Sequence, residues 1–296
     1  MSATPRFDPA GVPVRPAATL MLVDDRPDLH VLLLRRRAAS DFVGGMSVFP
    51  GGGVDRGDVV PLAEATCRGL SDAAASARLG LAAGGLAYWI AAIRETFEEA
   101  GVLLAIEAAT GEPADLAAPE RAARVAGLRR EVDAERASMP DAARSEGLLL
   151  AVDRLHYVAR WITPLGPPRR YDTRFFVAGL PAGQQALHDA REAVDSEWLR
   201  PADALARCER GERTMLPPTF AMLRVLSRFA SAGEVLAAAV RHQDAPDQVA
   251  QLGGDGRRWR VLLPGDAGYT AAADGGMRGF LRLWPRAGAT DLDTGS

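Results

Sequence analysis

Residues Arg94 to Val102, RETFEEAGV, crowd an arginine and three glutamates into a chain otherwise rich in alanine and leucine. On a helix, residues three and four apart share a face, so Glu95, Glu98 and Glu99 point the same general way and repel one another. One reading is a solvated helix face on which Arg94 balances part of the charge. The run YWIAAI supports another, because it leads into the cluster from a strongly apolar side and Gly101 stops the helix directly behind it. Carboxylates gathered beside buried surface want a cation. Hard oxygen ligands suit magnesium or manganese, which keep waters and bind substrate phosphates alongside a few carboxylates.

The element that must carry these side chains is a helix, and the pattern predicts one from Leu86 to Ala100. Ahead of it, AATLMLVDDRPDLHVLLLRRR predicts two strands around a turn at Asp24 to Asp28. FVGGMSVFPGGGVDRGD then predicts a short strand, Ser47 to Phe49, running into a glycine turn where backbone can approach a ligand closely. Residues 60 to 84 read as helix with loops, and 113 to 147 as one or two helices with breaks at Pro113, Pro119 and Pro140. HYVARWITPLGPPRRYDTRFFVAGLP alternates apolar and polar residues on both sides of a Pro/Gly turn and predicts a second strand pair. After it come a loop and strand in DAREAVDSEWL, a helix opened by Pro201, and helices from about Thr219 and after Gly233. RRWRVLLPGDAGY gives a last short strand and turn. There is no internal repeat and no sustained heptad.

The 296 residues, 48% hydrophobic and 25% charged, describe an ordinary globular chain with a large core. A net charge of −3 and a pI near 5.9 argue against broad electrostatic binding to nucleic acid or an acidic membrane, so a polyanionic substrate needs a local basic site or a metal. Cys67 and Cys208 lie far apart without a CxxC pattern, which fits a reducing compartment and opposes structural zinc. His30, His156, His188 and His242 form no metal spacing. The Pro-rich N-terminus lacks a signal peptide's apolar core, no stretch is long enough to cross a bilayer, and a cytoplasmic location is expected.

These residues resemble the Nudix hydrolases, whose signature reads G-x5-E-x7-R-E-U-x-E-E-x-G-U with U aliphatic. Arg94 to Val102 matches its second half, with Thr96 in place of an aliphatic residue. FPGGGVDRGD resembles the first half, with Gly52 as the signature glycine and Asp58 where the family has Glu. Gly52 and Arg94 stand 42 positions apart where the pattern has 14, so an insertion of 28 residues follows Asp58, and the two halves are expected to remain adjacent in space. VFPGG, AAIRETFEEAGVLL, RRYDTRFF, LPPTF and LLPGD, in that order, resemble the peroxisomal coenzyme A diphosphatase subgroup, which also carries an insertion inside the box. A separate motif of other coenzyme A-cleaving members, with His before Gly-x-Val-x-Phe-Pro-Gly-Gly, is half present, with Val43 at the His position.

The resemblance implies an α/β (α+β) Nudix fold, a mixed β-sheet sandwiched between α-helices. It divides the chain into a flexible segment 1–16, a Nudix domain 17–232 with helical insertions at about 59–85 and 105–150, and an extension 233–296 with a frayed tail. It also implies Mg2+ or Mn2+ held by Glu98 and Glu99 with the Gly51 carbonyl. Glu95 is a further ligand or the base that activates water, and Arg94 orients Glu95. Glu192, six residues before Trp198, is expected as an extra ligand, with Glu197 as the other candidate. Arg35, Arg36 and Arg37, and Arg169, Arg170 and Arg174 around Tyr171, could hold a nucleotide and its phosphates by stacking and paired contacts; surface charge at strand ends is the plainer reading. The implied activity is hydrolysis of the pyrophosphate of a small-molecule nucleoside diphosphate derivative, coenzyme A or acyl-CoA, with no nucleic-acid or membrane partner. An NADH or ADP-ribose pyrophosphatase, a Nudix-fold module that binds a nucleotide without cleaving it, and a scaffold for a protein partner stay open.

Overall fold

A computed structural model of the chain describes residues 11–36, 45–59, 64–186, 193–244, 248–254, 259–262 and 278–282. Strand β1 (Val14–Asp25) sends Ala18, Leu20 and Leu22 into one core and Met21 and Val23 into another. A strand covered on both faces carries a continuous apolar run, as TLMLV does. β2 (Leu29–Arg36) returns antiparallel to it. β3 (Ser47–Val48) and β4 (Gly51–Gly53) follow, with Gly52 opposite Ala18 of β1.

Of the stretch expected to be helical before Leu86, the described residues form a short 3-10 turn and α1 (Asp72–Leu79). α2 (Leu86–Ala100) has the bounds expected from the sequence. β5 (Ala105–Glu107) pairs with β6 (Leu148–Leu150), and α3 (Pro119–Asp133) and α4 (Met139–Ser145) fill the excursion between them. Pro119 and Pro140 thus open helices instead of breaking one, because the first turn has no use for the missing N–H. β7 (His156–Ile162) and β8 (Arg170–Gly179) are the expected antiparallel pair, and β8 runs parallel to β1 along ten residue pairs from Val14–Arg170 to Val23–Gly179.

β9 (Ala193–Leu199) pairs with β2. α5 (Pro201–Glu209), α6 (Pro217–Leu226) and α7 (Ala232–Arg241) come next, α6 beginning two residues before the expected Thr219 because its prolines fit the first turn. β10 (Gln248–Gly254), β11 (Trp259–Leu262) and β12 (Arg278–Leu281) complete the described strands. Among the described residues the main sheet has ten strands in the order β11-β10-β12-β7-β8-β1-β2-β3, with β4 also on β1 and β9 also on β2. Parallel at β1–β8 and antiparallel in its other pairings, it is a mixed sheet. α2, with residues of α1, α3 and α4, packs on one face, and residues of α5, α6 and α7 on the other.

Candidate functional site

Helix α2 is fixed at both ends. Its backbone start is held by Asp72 of α1, whose carboxylate accepts from the Leu86 N–H and the Gly84 N–H at 2.9 Å each. Its end is Gly101, left-handed at φ 68°, whose N–H returns to the Phe97 carbonyl at 3.0 Å. Between them Trp89, Ile90, Ile93 and Phe97 bury themselves against the sheet, and the Trp89 indole donates to the Leu155 carbonyl at 3.0 Å. Thr96, where the signature calls for an aliphatic residue, is buried too. Its hydroxyl donates to the Ala92 carbonyl at 2.7 Å, so the polar atom is satisfied within the helix.

The carboxylates meet the glycine turn directly. The Gly51 N–H donates to Glu99 at 2.9 Å, which places the two halves of the interrupted box in contact. A Cβ on Gly52 would stand 2.6 Å from the Glu95 carboxyl carbon, so glycine is the residue that lets Glu95 lie against this turn. Arg94 ties the group together. Its Nε and Nη2 donate to the two oxygens of Asp58 at 2.9 and 3.0 Å, and Nη2 also donates to the Gly53 carbonyl at 2.7 Å. Its Nη1 donates to Glu95 at 2.9 Å and to Glu98 at 3.2 Å. Asp58, only 1% exposed and at the position of the signature glutamate, thus anchors Arg94 through both carboxylate oxygens. A 3-10 turn, Arg56–Asp58, capped by the Asp55 N–H on Asp58 at 2.8 Å, brings the shorter side chain within reach.

Burial pushes the Glu95 and Glu98 carboxyls up to about 7, and Arg94 pulls back only part of that shift. Burial also raises Asp58 against the pull of Arg94. For Arg94, burial acts to lower the pKa, but the bond to Asp58 and the charge of Glu95 outweigh it, so the guanidinium remains charged. Two of the three helix carboxylates are thus poised near neutrality in a site with an excess of acidic groups.

Among the described residues no three His, Cys, Asp or Glu side chains converge to hold a metal ion as they stand. Glu95 and Glu98 are turned to Arg94, and Glu99 to the Gly51 amide. The donor chemistry nonetheless fits a hard divalent cation: three clustered carboxylates, two of them raised by burial, beside a glycine turn with no side chain in the way. Glu95, Glu98, Glu99 and the Gly51 carbonyl are the groups that could hold it. Behind them, Arg129 of α3 donates through Nε at 3.0 Å and Nη2 at 2.6 Å to the Glu98 carbonyl.

A family model described as the NUDT19 Nudix domain matches residues 72–226, more than half of the chain. The chain belongs to the NUDT19 Nudix domain family. It is 29% identical over 248 residues to a Gallus gallus protein named acyl-coenzyme A diphosphatase NUDT19, covering 70% of this chain and 64% of that one. It is 32% identical over 206 residues to the Homo sapiens protein of the same name, covering 64% and 52%. The chain therefore spans about half to two thirds of the length of these relatives. Among solved structures, a NUDIX hydrolase from Alicyclobacillus acidocaldarius superposes with a TM-score of 0.61 at 27% identity, covering 77% of this chain and 97% of that one. The Nudix fold inferred from the box is the fold found.

The other residues singled out in the sequence scatter around the Nudix box. Arg35 is exposed on β2, opposite Ser47 of β3 and Asp195 of β9. Arg36 follows it in the β2 backbone, while Arg37, Val43, His188 and Glu192 lie outside the described residues. Glu197 binds Arg207 at 2.8 Å and also Arg213, so its carboxylate is engaged in an ion-pair network away from α2. Arg170 donates to the Thr163 and Pro164 carbonyls at 3.2 Å each, and the Tyr171 N–H to the Thr163 hydroxyl at 3.1 Å, contacts that close the β7–β8 turn. Arg174 is fully buried on the α2 side of the sheet, its guanidinium carbon 5.5 Å from the centre of the Tyr88 ring. Arg129, Arg160 and Asp172, which also shape this face, were not singled out. For Asp172 the signal was present, a charge at every second residue from Arg170 to Arg174 at the start of an apolar strand.

Beyond the box, Gln184 copies a backbone pairing, accepting from the Leu103 N–H and donating to the Leu103 carbonyl at 2.9 Å each. It lines an open cavity of about 480 Å³ with Asp24, Arg26, Leu180 and Trp198, in which the Arg26 guanidinium stacks 4.2 Å from the Trp198 ring centre.

Proposed function

We propose that the chain is a divalent-cation-dependent diphosphatase that hydrolyses the pyrophosphate of a nucleoside diphosphate derivative, with coenzyme A or acyl-CoA as substrate. The observation that carries this reading is the packing of Glu95, Glu98 and Glu99 onto the Gly51–Gly52 turn, with Arg94 joining them to Asp58. The name shared by the Gallus gallus and Homo sapiens relatives supports the substrate. Water attacks one phosphorus, the bridging P–O bond breaks, and coenzyme A yields 3′,5′-ADP and phosphopantetheine. Glu95, poised near pH 7 by burial, accepts the proton that water gives up, and Arg94 aims its carboxylate. Glu98, Glu99 and the Gly51 carbonyl hold Mg2+ or Mn2+, with Glu192 as a further ligand. When bound, the cation neutralises phosphate oxygens and lowers the pKa of water. On the substrate side the reading assigns contacts to Arg35, Arg36, Arg170, Tyr171 and Arg174.

A cytoplasmic setting accompanies this reading, supported by two free cysteines, Cys67 and Cys208. No helix among the described residues is long and apolar enough to cross a membrane.

The test is a substrate panel of coenzyme A, acyl-CoA, NADH and ADP-ribose with Mg2+ or Mn2+, products resolved by mass. Formation of 3′,5′-ADP as the fastest reaction, abolished by a chelator, is expected. Faster cleavage of NADH or ADP-ribose would reassign the substrate, and no cleavage of any member would leave a binding module.

A further inference from the structure

The open cavity of about 480 Å³ plays no part in the hydrolysis described so far. The β1–β2 turn forms one wall with Asp24 and Arg26, residues 180–186 after β8 form another, and Trp198 of β9 a third. These walls are anchored to the elements that carry the box. The Leu180 N–H donates to the Val23 carbonyl of β1 at 2.9 Å, and Gln184 spends both ends of its amide on Leu103, two residues after the Gly101 cap of α2. Leu180, Ala186 and Trp198 all pack against the core under α2, so the cavity and the box share one face of the sheet.

The lining suits a flat, polar ligand. The Arg26 guanidinium lies over the Trp198 ring, 4.2 Å from its centre, and its Nε donates to Asp24 at 2.8 Å. Asp24 balances Arg26, so the pair attracts no ion by net charge and instead presents a planar plate. Among the described residues nothing else bonds the second Asp24 oxygen or the terminal nitrogens of Arg26. Their side chains are 33% and 38% exposed, which leaves these atoms open to a ligand arriving from solvent. Gln185 adds an amide that can donate and accept. A nucleobase answers each of these features, with a π face for the plate, an amino group for Asp24 and ring nitrogens for Arg26 and Gln185. Strand register sets the distance to the box. With β8 along one side of β1, both β2 and β4 lie on its other side. Leu199 lies opposite Val31, and Val31 opposite Val23, which puts β9 two strands from β1 at that level. Gly51 stands one strand from β1, opposite Thr19. One strand spacing across and three to four residues along separate Trp198 from the Gly51 turn, about 12 Å. That is the reach of a nucleoside from its base to its diphosphate.

We propose that this cavity takes the base of the substrate, stacked on the Arg26–Trp198 pair with Asp24 accepting from its amino group, while the diphosphate lies at the α2 carboxylates. This rests on the diphosphatase reading and gives it a specificity element outside the box: an amino-bearing base is held in preference to one with a carbonyl at the same ring position. Stacking on the plate supplies the affinity, and the free Asp24 oxygen supplies the choice between bases.

The experiment measures binding of adenosine and inosine by calorimetry, without divalent cation, to the parent, Arg26→Ala and Asp24→Asn. Adenosine is expected to bind Arg26→Ala about fivefold or more weakly than the parent, the lower end of a base-stacking contact. The parent is expected to favour adenosine over inosine, and Asp24→Asn, whose amide can donate to the inosine carbonyl, to lose that preference. In turnover assays adenosine should raise the apparent KM of the parent for coenzyme A. No adenosine binding by the parent, equal binding by Arg26→Ala, or binding that leaves the apparent KM unchanged overturns the site. Both replaced side chains are partly exposed at a turn, so the variants test the contact and not the core. The binding arm needs no turnover: a chain that cleaves no substrate refutes the activity while adenosine still judges the cavity, and one that cleaves coenzyme A but ignores adenosine loses the cavity alone.

Discussion

Gly52 and Glu95 compete for the same space. A methyl on residue 52 would stand 2.6 Å from the Glu95 carboxyl carbon, so Gly52→Ala must displace the carboxylate or the turn. A shift of about 1 Å at a reacting group can cost on the order of a hundredfold in rate. Gly52→Ala is therefore expected to lose at least tenfold in kcat/KM while keeping the parental circular dichroism spectrum; parental turnover would show that Glu95 moves aside freely. Glu98→Gln and Glu99→Gln each remove a hard anionic donor, and turnover is expected to fall by orders of magnitude with a rise in the metal concentration needed. Near-parental activity of either variant at limiting Mg2+ would take the glutamates out of the site. At this scale the sequence was informative because the box is local: Glu95, Glu98 and Glu99 share a helix, and their spacing fixes their face. Asp58 and Thr96, departures from the signature, are accommodated by geometry that spacing does not carry, namely the 3-10 turn under Asp58 and the hydroxyl bond from Thr96 to Ala92.

The segments on either side of α2 are tied to it. Asp72 of α1 caps the start of α2, and Arg129 of α3 grips the Glu98 carbonyl at its end, where helix carbonyls lack partners within the helix and a cation is favoured. Removing that grip frees the last turn of α2, which carries Glu98 and Glu99. Arg129→Gln is expected to raise the Mg2+ concentration for half-maximal activity several-fold with helical content unchanged, and Arg129→Lys to recover part of the loss. Unchanged metal dependence would make the contact a packing detail. Long periodic elements such as α2, β1, β2, β7 and β8 were legible, since each spans enough residues to display its period. β5 and β6 were not, because three residues show no alternation and their pairing partners stand more than 40 positions apart. Pro119 and Pro140 do mark the boundaries of two helices, but that they sit inside the first turn was not legible, as a proline that opens a helix and one that ends it look alike in sequence.

Across the whole molecule, the sheet extends past its sequence-local hairpins. β12 covers the edge of β7, from Arg278–Ile162 to Leu281–Ala159, and Leu281 is fully buried in the second core. Nothing in a four-residue strand announces a partner more than a hundred positions away, so this joint was not legible. The same long-range assembly decides how the protein responds to pH. The chain has no lysine; all 35 basic residues are arginine, which keeps its charge throughout the neutral range. His156, at the start of β7, has its pKa lowered by burial and by Arg78 of α1, against a smaller opposing pull from Asp153. The folded state then binds a proton less readily than the unfolded one, so its contribution is fully present above about pH 6.5 and is lost as pH falls below it. Glu95 and Glu98, raised by burial, act in the opposite direction between about 4.5 and 7 in metal-free protein, where rising pH costs stability. Comparing the parent with His156→Gln in chelator cancels the carboxylates. The parent Tm is expected to fall relative to the variant as pH drops from about 6.5 towards 5, with a constant difference from pH 7 to 8. A difference that does not change across the whole range would mean that His156 takes up its proton in the fold as easily as in the open chain.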